Sequence, residues 1–433
     1  MPGTVVVGAG VAGLTYAERI VSSGAEVLVL EREESVGGLA RTFSGDGFSF
    51  DIGPHRFHTS DPLVQAYLLD VLGQGISCIP RASCVYMADR YMSWPLSLEG
   101  VLRLPLRILV PSFFDLFGTR GGDSGTFADS IISRYGRNLY MHFFRDYTEK
   151  FTGIPADELH RDWASAGVDR AVIDKRVKAD SLFALLRGLL LPRPVSTSFI
   201  YPSEGGIASF ASGLASRIER HGGRVETGVT VSSLLIDEGG TARGVRLEDG
   251  REIEADLTVW TGPISEVAPE CDLEFISTVL FNVGLRKRTR MSYQWCYFGE
   301  KSLSFSRLTI PRNFSAGMVP PGADSLTAEV TCREGDSLWA EPLKLVPKIL
   351  EDLERVKALS PGDVLFIHPV RVRNTYPLYT LDYRDKLDRA AVPGGVSLLG
   401  RCGTFWYNNM DHSIAQAVAR ASGGDTPREF WTR

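Results

Sequence analysis

The chain has 433 residues, 44% of them hydrophobic and 23% charged, with a formal net charge of −5. That length calls for two or three domains, and the balance is that of an ordinary soluble globular protein. No basic stripe suited to nucleic acid is present, although local arginines can still hold small anions. Six cysteines (Cys78, Cys84, Cys271, Cys296, Cys332 and Cys402) form no CxxC pair. They read as buried thiols in a reducing cytoplasm, with neither zinc nor a disulfide framework expected.

The chain runs almost at once into a strand, so no signal peptide is expected and the protein is read as cytoplasmic. "TVVV" at residues 4–7 predicts a buried strand. "GAGVAG" follows, then a helical stretch ending at Gly24 and a second strand, "EVLVLE", with Glu31 at its tip. This order of strand, glycine-rich turn, helix, strand and acid predicts a dinucleotide site. Gly8 allows the tight turn, Gly10 lets a pyrophosphate approach the backbone, and Gly13 lets helix and strand pack closely. The helix N-terminus faces the phosphates, and Glu31 is placed to bind ribose hydroxyls.

"GFSFDIGPHRFH" (47–58) alternates, kinks at Gly53-Pro54 and delivers His55 and Arg56 toward a site. Residues 60–195 read as mostly helical. Within them "LRLPLRILVPSFFDLFG" (102–118) carries charges and two prolines that rule out a membrane span, and a buried helical hairpin is expected. Residues 199–237 give a turn, a helix and a strand, and Asp249-Gly250 marks a hairpin. Residues 275–390 alternate as an antiparallel sheet, with a helix near 343–358. Last comes "GRCGTFWYNNMDHS" (400–413), a polar, aromatic loop ahead of a helix.

"ESVGGLART" (34–42) resembles the second fingerprint of the FAD family that holds amine oxidases, protoporphyrinogen oxidases, phytoene desaturases and UDP-galactopyranose mutases. There Gly37, Gly38 and Leu39 would follow the pyrophosphate, Arg41 would neutralise phosphate, and Val229 would lie near the adenosine. The C-terminal loop is similar to the flavin motif of the UDP-galactopyranose mutases. "QWCYFGE" (294–300), "FSRLTIPRNFS" (305–315) and "RVRNTYPLYTL" (371–381) follow that family's order across nearly the whole chain. The resemblance implies an α/β fold: a Rossmann-type FAD-binding domain with a helical insertion and an antiparallel-sheet substrate domain. The boundaries read as 1–85, 199–270 and 393–433 for the FAD domain, 86–198 for the helical part and 271–392 for the sheet.

It also implies FAD, active as FADH2, with NAD(P)H as a transient reductant binding in the substrate cleft. The activity would be a pyranose–furanose interconversion of a nucleotide sugar through a covalent flavin N5–sugar adduct, without net redox. Arg307, Tyr297, Tyr376 and Tyr407 match the diphosphate-binding set, and His55 matches the histidine beside the flavin. Arg401, Asn409, Met410, Asp411, His412 and Ser413 match positions near the isoalloxazine, and Trp295 and Trp94 match substrate-side aromatics. His58, His142, His160, His221 and His368 lie in no motif and read as ordinary.

Some positions depart from that pattern. Gly167 stands where a second diphosphate arginine is expected, with Arg170 one turn on as its substitute. Trp94 and Ser97 replace a Tyr and a Gln of the base pocket, and Thr148 and Thr152 replace an Asn and a Trp. "GPH" stands for "GGH". These departures argue against plain UDP-galactose and keep open a second reading, a true FAD oxidase or desaturase.

Overall fold

The computed structural model describes residues 2–94, 104–115, 125–165 and 198–424. A five-stranded parallel sheet forms one half. Its order is Val396–Leu398, Leu257–Trp260, Thr4–Val7, Val27–Leu30 and Arg224–Glu226. Three distant stretches of chain therefore build one sheet. Its three central strands are predominantly apolar because both faces are covered there. Successive side chains alternate between faces. Val6 and Val29 pack under the helices Val11–Val21, Ala208–Arg220 and Met410–Ala421. Val5, Leu28 and Leu30 pack on the small antiparallel sheet of Val231–Ile236, Ala242–Leu247 and Glu252–Glu254. The turn at Asp249-Gly250 closes the last hairpin, with Gly250 at φ +88°.

The other half is a seven-stranded sheet in the order Val364–Pro377, Phe275–Leu285, Asp324–Cys332, Arg307–Thr309, Trp295–Phe298, Ser83–Met87 and Arg90–Trp94. All pairings are antiparallel except that of Trp295–Phe298 with Ser83–Met87, which is parallel. Residues 86–94 were expected in the helical part, but they complete this sheet. Strand Arg90–Trp94 carries Tyr91 and Trp94, residue types favoured in strands, and pairs with Ser83–Met87. One face packs on helix Val346–Arg355 through Phe281, Val283, Phe298, Leu308 and Ala328. The opposite face, set by the same period of two, is left for the site.

The helices Phe127–Tyr135 and Asp146–Thr152 lie over that face, joined through a six-residue π-wound stretch, Tyr140–Arg145. Thr126 caps the first of them by accepting the Asp129 N–H at 3.1 Å. Between 104 and 115 there is one helix, Leu106–Phe114, and not the buried hairpin expected. Ile108 and Ser112 are buried, while Leu106 and Phe114 are 72% and 65% exposed. A single stripe of contacts at i and i+4 suffices to dock a helix, so the apolar remainder stays outside. Among the described residues no helix is long and apolar enough to cross a membrane.

Candidate active site

The glycine-rich turns pack on each other, and their bareness is enforced by contact. Gly8 sits at φ +100°, and a Cβ there would lie 2.2 Å from Thr261 Oγ1. A Cβ on Gly13 would lie 2.2 Å from the Gly8 carbonyl oxygen. Gly10 pairs with Gly37, and a Cβ on Gly38 would come within 3.1 Å of Gly10 Cα. Glu31 is buried at the tip of its strand, accepting the Ala9 N–H at 2.8 Å and the Glu33 N–H at 3.0 Å. It thereby anchors the first turn. Val229 donates its N–H to the Glu31 carbonyl, which brings it beside that tip. Arg41 donates to the Gly38 carbonyl and to Glu33 at 2.7 Å. Burial would raise the Glu33 carboxyl, but Arg41 overcomes this and holds it below the usual range. Leu39 is half-buried against Ile52 and Leu280.

The C-terminal loop comes to the same place. Gly400, at φ +76°, would set a Cβ 2.9 Å from the Ala12 Cβ on the first helix. Its N–H donates to Gln416 Oε1 at 2.9 Å. Asn409 caps helix Met410–Ala421, and its own N–H donates to His412 Nδ1 at 3.3 Å. Met410 packs against the core beneath the parallel sheet. Asp411 lies 3.5 Å from His412, and the Ser413 hydroxyl donates to Asn408 Oδ1 at 3.2 Å. Arg401 holds the loop by donating to the Thr375 and Asn408 carbonyls. Two buried polar atoms flank this cradle without a partner, His55 Nδ1 and Asn408 Nδ2. Buried polar atoms are ordinarily hydrogen-bonded. Bare glycines, two helix N-termini and two orphaned nitrogens fit a dinucleotide with a polar ring system.

Across the seven-stranded sheet, Tyr297, Arg307 and Glu329 stand in one cross-strand row. Arg307 forms a fork with Glu329, Nε to Oε1 at 2.6 Å and Nη2 to Oε2, and Nη2 also donates to Tyr376 Oη at 3.0 Å. Burial works against the Arg307 charge, but Glu329 reverses this and keeps it firmly protonated. Gly53 makes the room: at φ +74°, its Cβ would lie 3.1 Å from Arg307 Nη2. Tyr376 and Tyr407 meet edge to face at 4.9 Å, with Arg401 over both rings at 5.5 and 5.3 Å. Tyr407 also receives Trp163 at 5.6 Å. His55 is held neutral. Burial and the nearby Arg401, Arg56 and Arg307 push its pKa down to about 3.

Three site residues escaped the sequence reading. Tyr147 meets Tyr297 edge to face at 5.8 Å, and burial, then Tyr297, raises its hydroxyl pKa well above the ordinary value. Glu329 and Arg81 are the others. Glu329 had a signal, a lone acid inside the apolar run "SLTAEV". Arg81 and Tyr147 had none, because only the packing of separate elements brings them here.

The remaining positions differ in burial. Trp295 is 1% exposed and packs on Phe199, Tyr201 and Phe314. It is therefore packed into the apolar cluster beneath the site. Thr148 and Thr152 are buried, and Thr152 bonds back to the Thr148 carbonyl at 2.8 Å. Thr152 closes the helix Asp146–Thr152. Trp94 ends the edge strand, half-buried, its Nε1 without a partner. Gly167, Arg170 and Ser97 lie outside the described residues.

Residues 11–288 match the family described as flavin containing amine oxidoreductase. The chain belongs to that family. Membership indicates FAD, in agreement with the cradle. A zeta-carotene-forming phytoene desaturase of Myxococcus xanthus is 29% identical over 276 residues, 59% of this chain and 52% of the desaturase. A Klebsiella pneumoniae protein named "Probable UDP-galactopyranose mutase" is 27% identical over 164 residues, 36% of this chain and 42% of that one. The chain spans about half the length of the curated relatives it matches. The crystal structure of a reduced UDP-galactopyranose mutase shares its fold, with a TM-score of 0.84 at 21% identity, covering 100% of this chain and 98% of that one.

Proposed function

We propose that this flavoprotein interconverts ring forms of a nucleotide sugar, other than plain UDP-galactose, without net redox. The observation that carries the reading is the row Tyr297–Arg307–Glu329, closed by Tyr376 and Tyr407, beside the glycine cradle. FAD would be held by Gly8, Gly10, Gly13, Glu31, Gly38, Arg41 and the 401–413 loop. In reduced form it would supply a nucleophile for the anomeric carbon. Arg307 is the charged donor for the departing diphosphate, with one amino group left over from its fork to Glu329. Tyr297, Tyr376 and Tyr407 add hydroxyl donors on rigid rings. Neutral His55 offers Nδ1 to the flavin or the sugar without adding charge. Arg401, stacked on Tyr376 and Tyr407, fixes their rings. NAD(P)H is the reductant in this reading.

The test is anaerobic. The flavoprotein is reduced with dithionite, incubated with a panel of nucleotide sugars and the products separated by anion exchange. An isomer of unchanged mass, formed only by reduced protein, is the expected result. A second reading, FAD-dependent oxidation or desaturation, is favoured by Thr148 and Thr152, buried where the mutase pattern has base contacts. It gains if no isomer forms and an organic donor bleaches the oxidised flavin.

A further inference from the structure

Three strands of the large sheet, Phe275–Leu285, Asp324–Cys332 and Val364–Pro377, meet at one end, where Leu285 pairs with both Asp324 and Val364. The first turn leaving that end reads "RKRTR" over residues 286–290. It concentrates cations in a chain whose net charge is −5. Arg286, Lys287, Arg288 and Arg290 are all exposed. Lys287 pairs with Asp363 at 3.1 Å. Among the described residues, Arg286, Arg288 and Arg290 enter no ion pair. Neither the glycine cradle nor the Arg307 row uses them.

The turn is pinned while its cations stay in solvent. Asp324, fully buried, accepts the Thr289 N–H at 2.8 Å and the Thr289 hydroxyl at 2.9 Å. Arg312 closes the same carboxylate with two bonds of 3.1 Å. The Arg286 N–H donates to the Asp363 carbonyl at 2.9 Å. Met291 is buried just beyond, and Asn313 donates to the Met291 and Tyr293 carbonyls at 3.0 and 2.7 Å. The acids of this end are thus taken, Asp324 by Thr289 and Arg312, Asp363 by Lys287. Asp46 is exposed at the tip of the hairpin that approaches Pro320. Leu365, one residue past the pair Leu285–Val364, is 49% exposed, and Pro361 is exposed on the adjoining turn.

Like charges held in one rigid turn repel each other and gain from an anionic surface of opposite potential. Planar guanidinium forks match phosphate oxygens. A nucleic acid would ask for stacking aromatics or an element that enters a groove, whereas the exposed side chains here are those of arginine, lysine, proline and leucine. A lipid surface asks for clustered cations beside a small apolar contact. We propose that the 286–290 turn docks the protein on an anionic phospholipid surface through the headgroup phosphates, with Leu365 beside them. The Arg307 row then lies about 17 Å along the sheet from the docking end, since Glu329 is five strand residues from Asp324. This inference does not rest on the nucleotide-sugar reading.

The test is co-sedimentation of the FAD-loaded protein with vesicles of one part phosphatidylglycerol to two parts phosphatidylcholine, beside vesicles of phosphatidylcholine alone. Wild type is expected on the anionic vesicles only. It should be released as salt rises from about 0.1 M to about 1 M, where the Debye length shrinks from about 10 Å to about 3 Å. The triple variant Arg286→Gln, Arg288→Gln, Arg290→Gln is expected to weaken binding about a hundredfold, about fivefold for each arginine, while FAD content and melting temperature stay unchanged. If the triple variant does not fold, Arg288→Glu alone replaces it, with an expected loss of about twentyfold. Absence of wild-type binding to the anionic vesicles overturns the proposal. So does equal binding to both kinds of vesicle, or a variant that binds as well as wild type. Duplex DNA and polyglutamate are titrated in parallel, and binding to either one without binding to the anionic vesicles overturns the lipid assignment.

Discussion

At the scale of single residues, the central fact is that Arg307 and Glu329 are each other's counter-charge, at 13% and 4% side-chain exposure. Removing one partner of a buried pair strands the other. Arg307→Ala is therefore expected to cost about 3 kcal/mol of stability, and Arg307→Ala with Glu329→Gln to recover most of it. Denaturant unfolding of the two proteins decides the matter; if the double variant is no more stable than the single one, the pair is not what holds this row. On the function side, Arg307→Ala should weaken UDP binding at least about tenfold, and an unchanged dissociation constant would sink the mutase reading. Arg307 and Tyr376 were legible in the sequence because they lie in motifs. Glu329 was half-legible, as a charge in an apolar strand. Tyr147 and Arg81 were not, since local pattern carries no information about what another element places opposite.

At the scale of elements, Asp51 joins three pieces of chain. Its carboxylate accepts from Thr42 at 2.7 Å, from Tyr201 at 2.6 Å and from the Ile207 N–H at 3.2 Å. It ties the hairpin that carries His55 to the strand Ser198–Pro202 and to the approach of helix Ala208–Arg220. Burial raises its pKa from 3.8 to about 6, against the hydrogen bonds. The folded state thus holds its proton more tightly than the unfolded state does. The linked stability is present in full below pH 3.8 and is lost as pH rises through 6, about 3 kcal/mol in all. Asp51→Asn carries no such linkage. The stability of the variant relative to wild type should therefore rise between pH 4 and pH 7, measured by unfolding at each pH; a constant difference would show that Asp51 does not titrate there. Gly53, two residues on, gives a second expectation. At φ +74° and 3.1 Å from Arg307 Nη2, Gly53→Ala should destabilise by about 1–3 kcal/mol and shift the Arg307 fork, seen as weaker UDP binding.

At the scale of the whole molecule, the glycine cradle is assembled from residues near 8–13, 37–41 and 400–413, which no local segment can hold together alone. Ligand that binds only the folded chain stabilises all of it by mass action. FAD removal should therefore lower the melting temperature of the whole protein in one transition. Gly10→Val, which puts a branched side chain where the pyrophosphate would approach the backbone, should show the lower temperature with FAD present. A Gly10→Val protein that keeps its full flavin absorbance after desalting would contradict the cradle as drawn.

The sequence by itself determined the parallel α/β half and the direction of the antiparallel half. Periods of two and of 3.6 and the glycine spacing are local properties that survive without knowing the partner. It also determined which motif residues could serve a flavin and an anion. Only the tertiary structure decided which face of the large sheet carries the site and that residues 86–94 join that sheet. It decided, too, that Arg307 is tied to Glu329 and that Trp295 serves as a buried seat for Arg56 and Arg81. Charge pairing and burial depend on distances between segments far apart in the chain, and those distances exist only once the segments are packed.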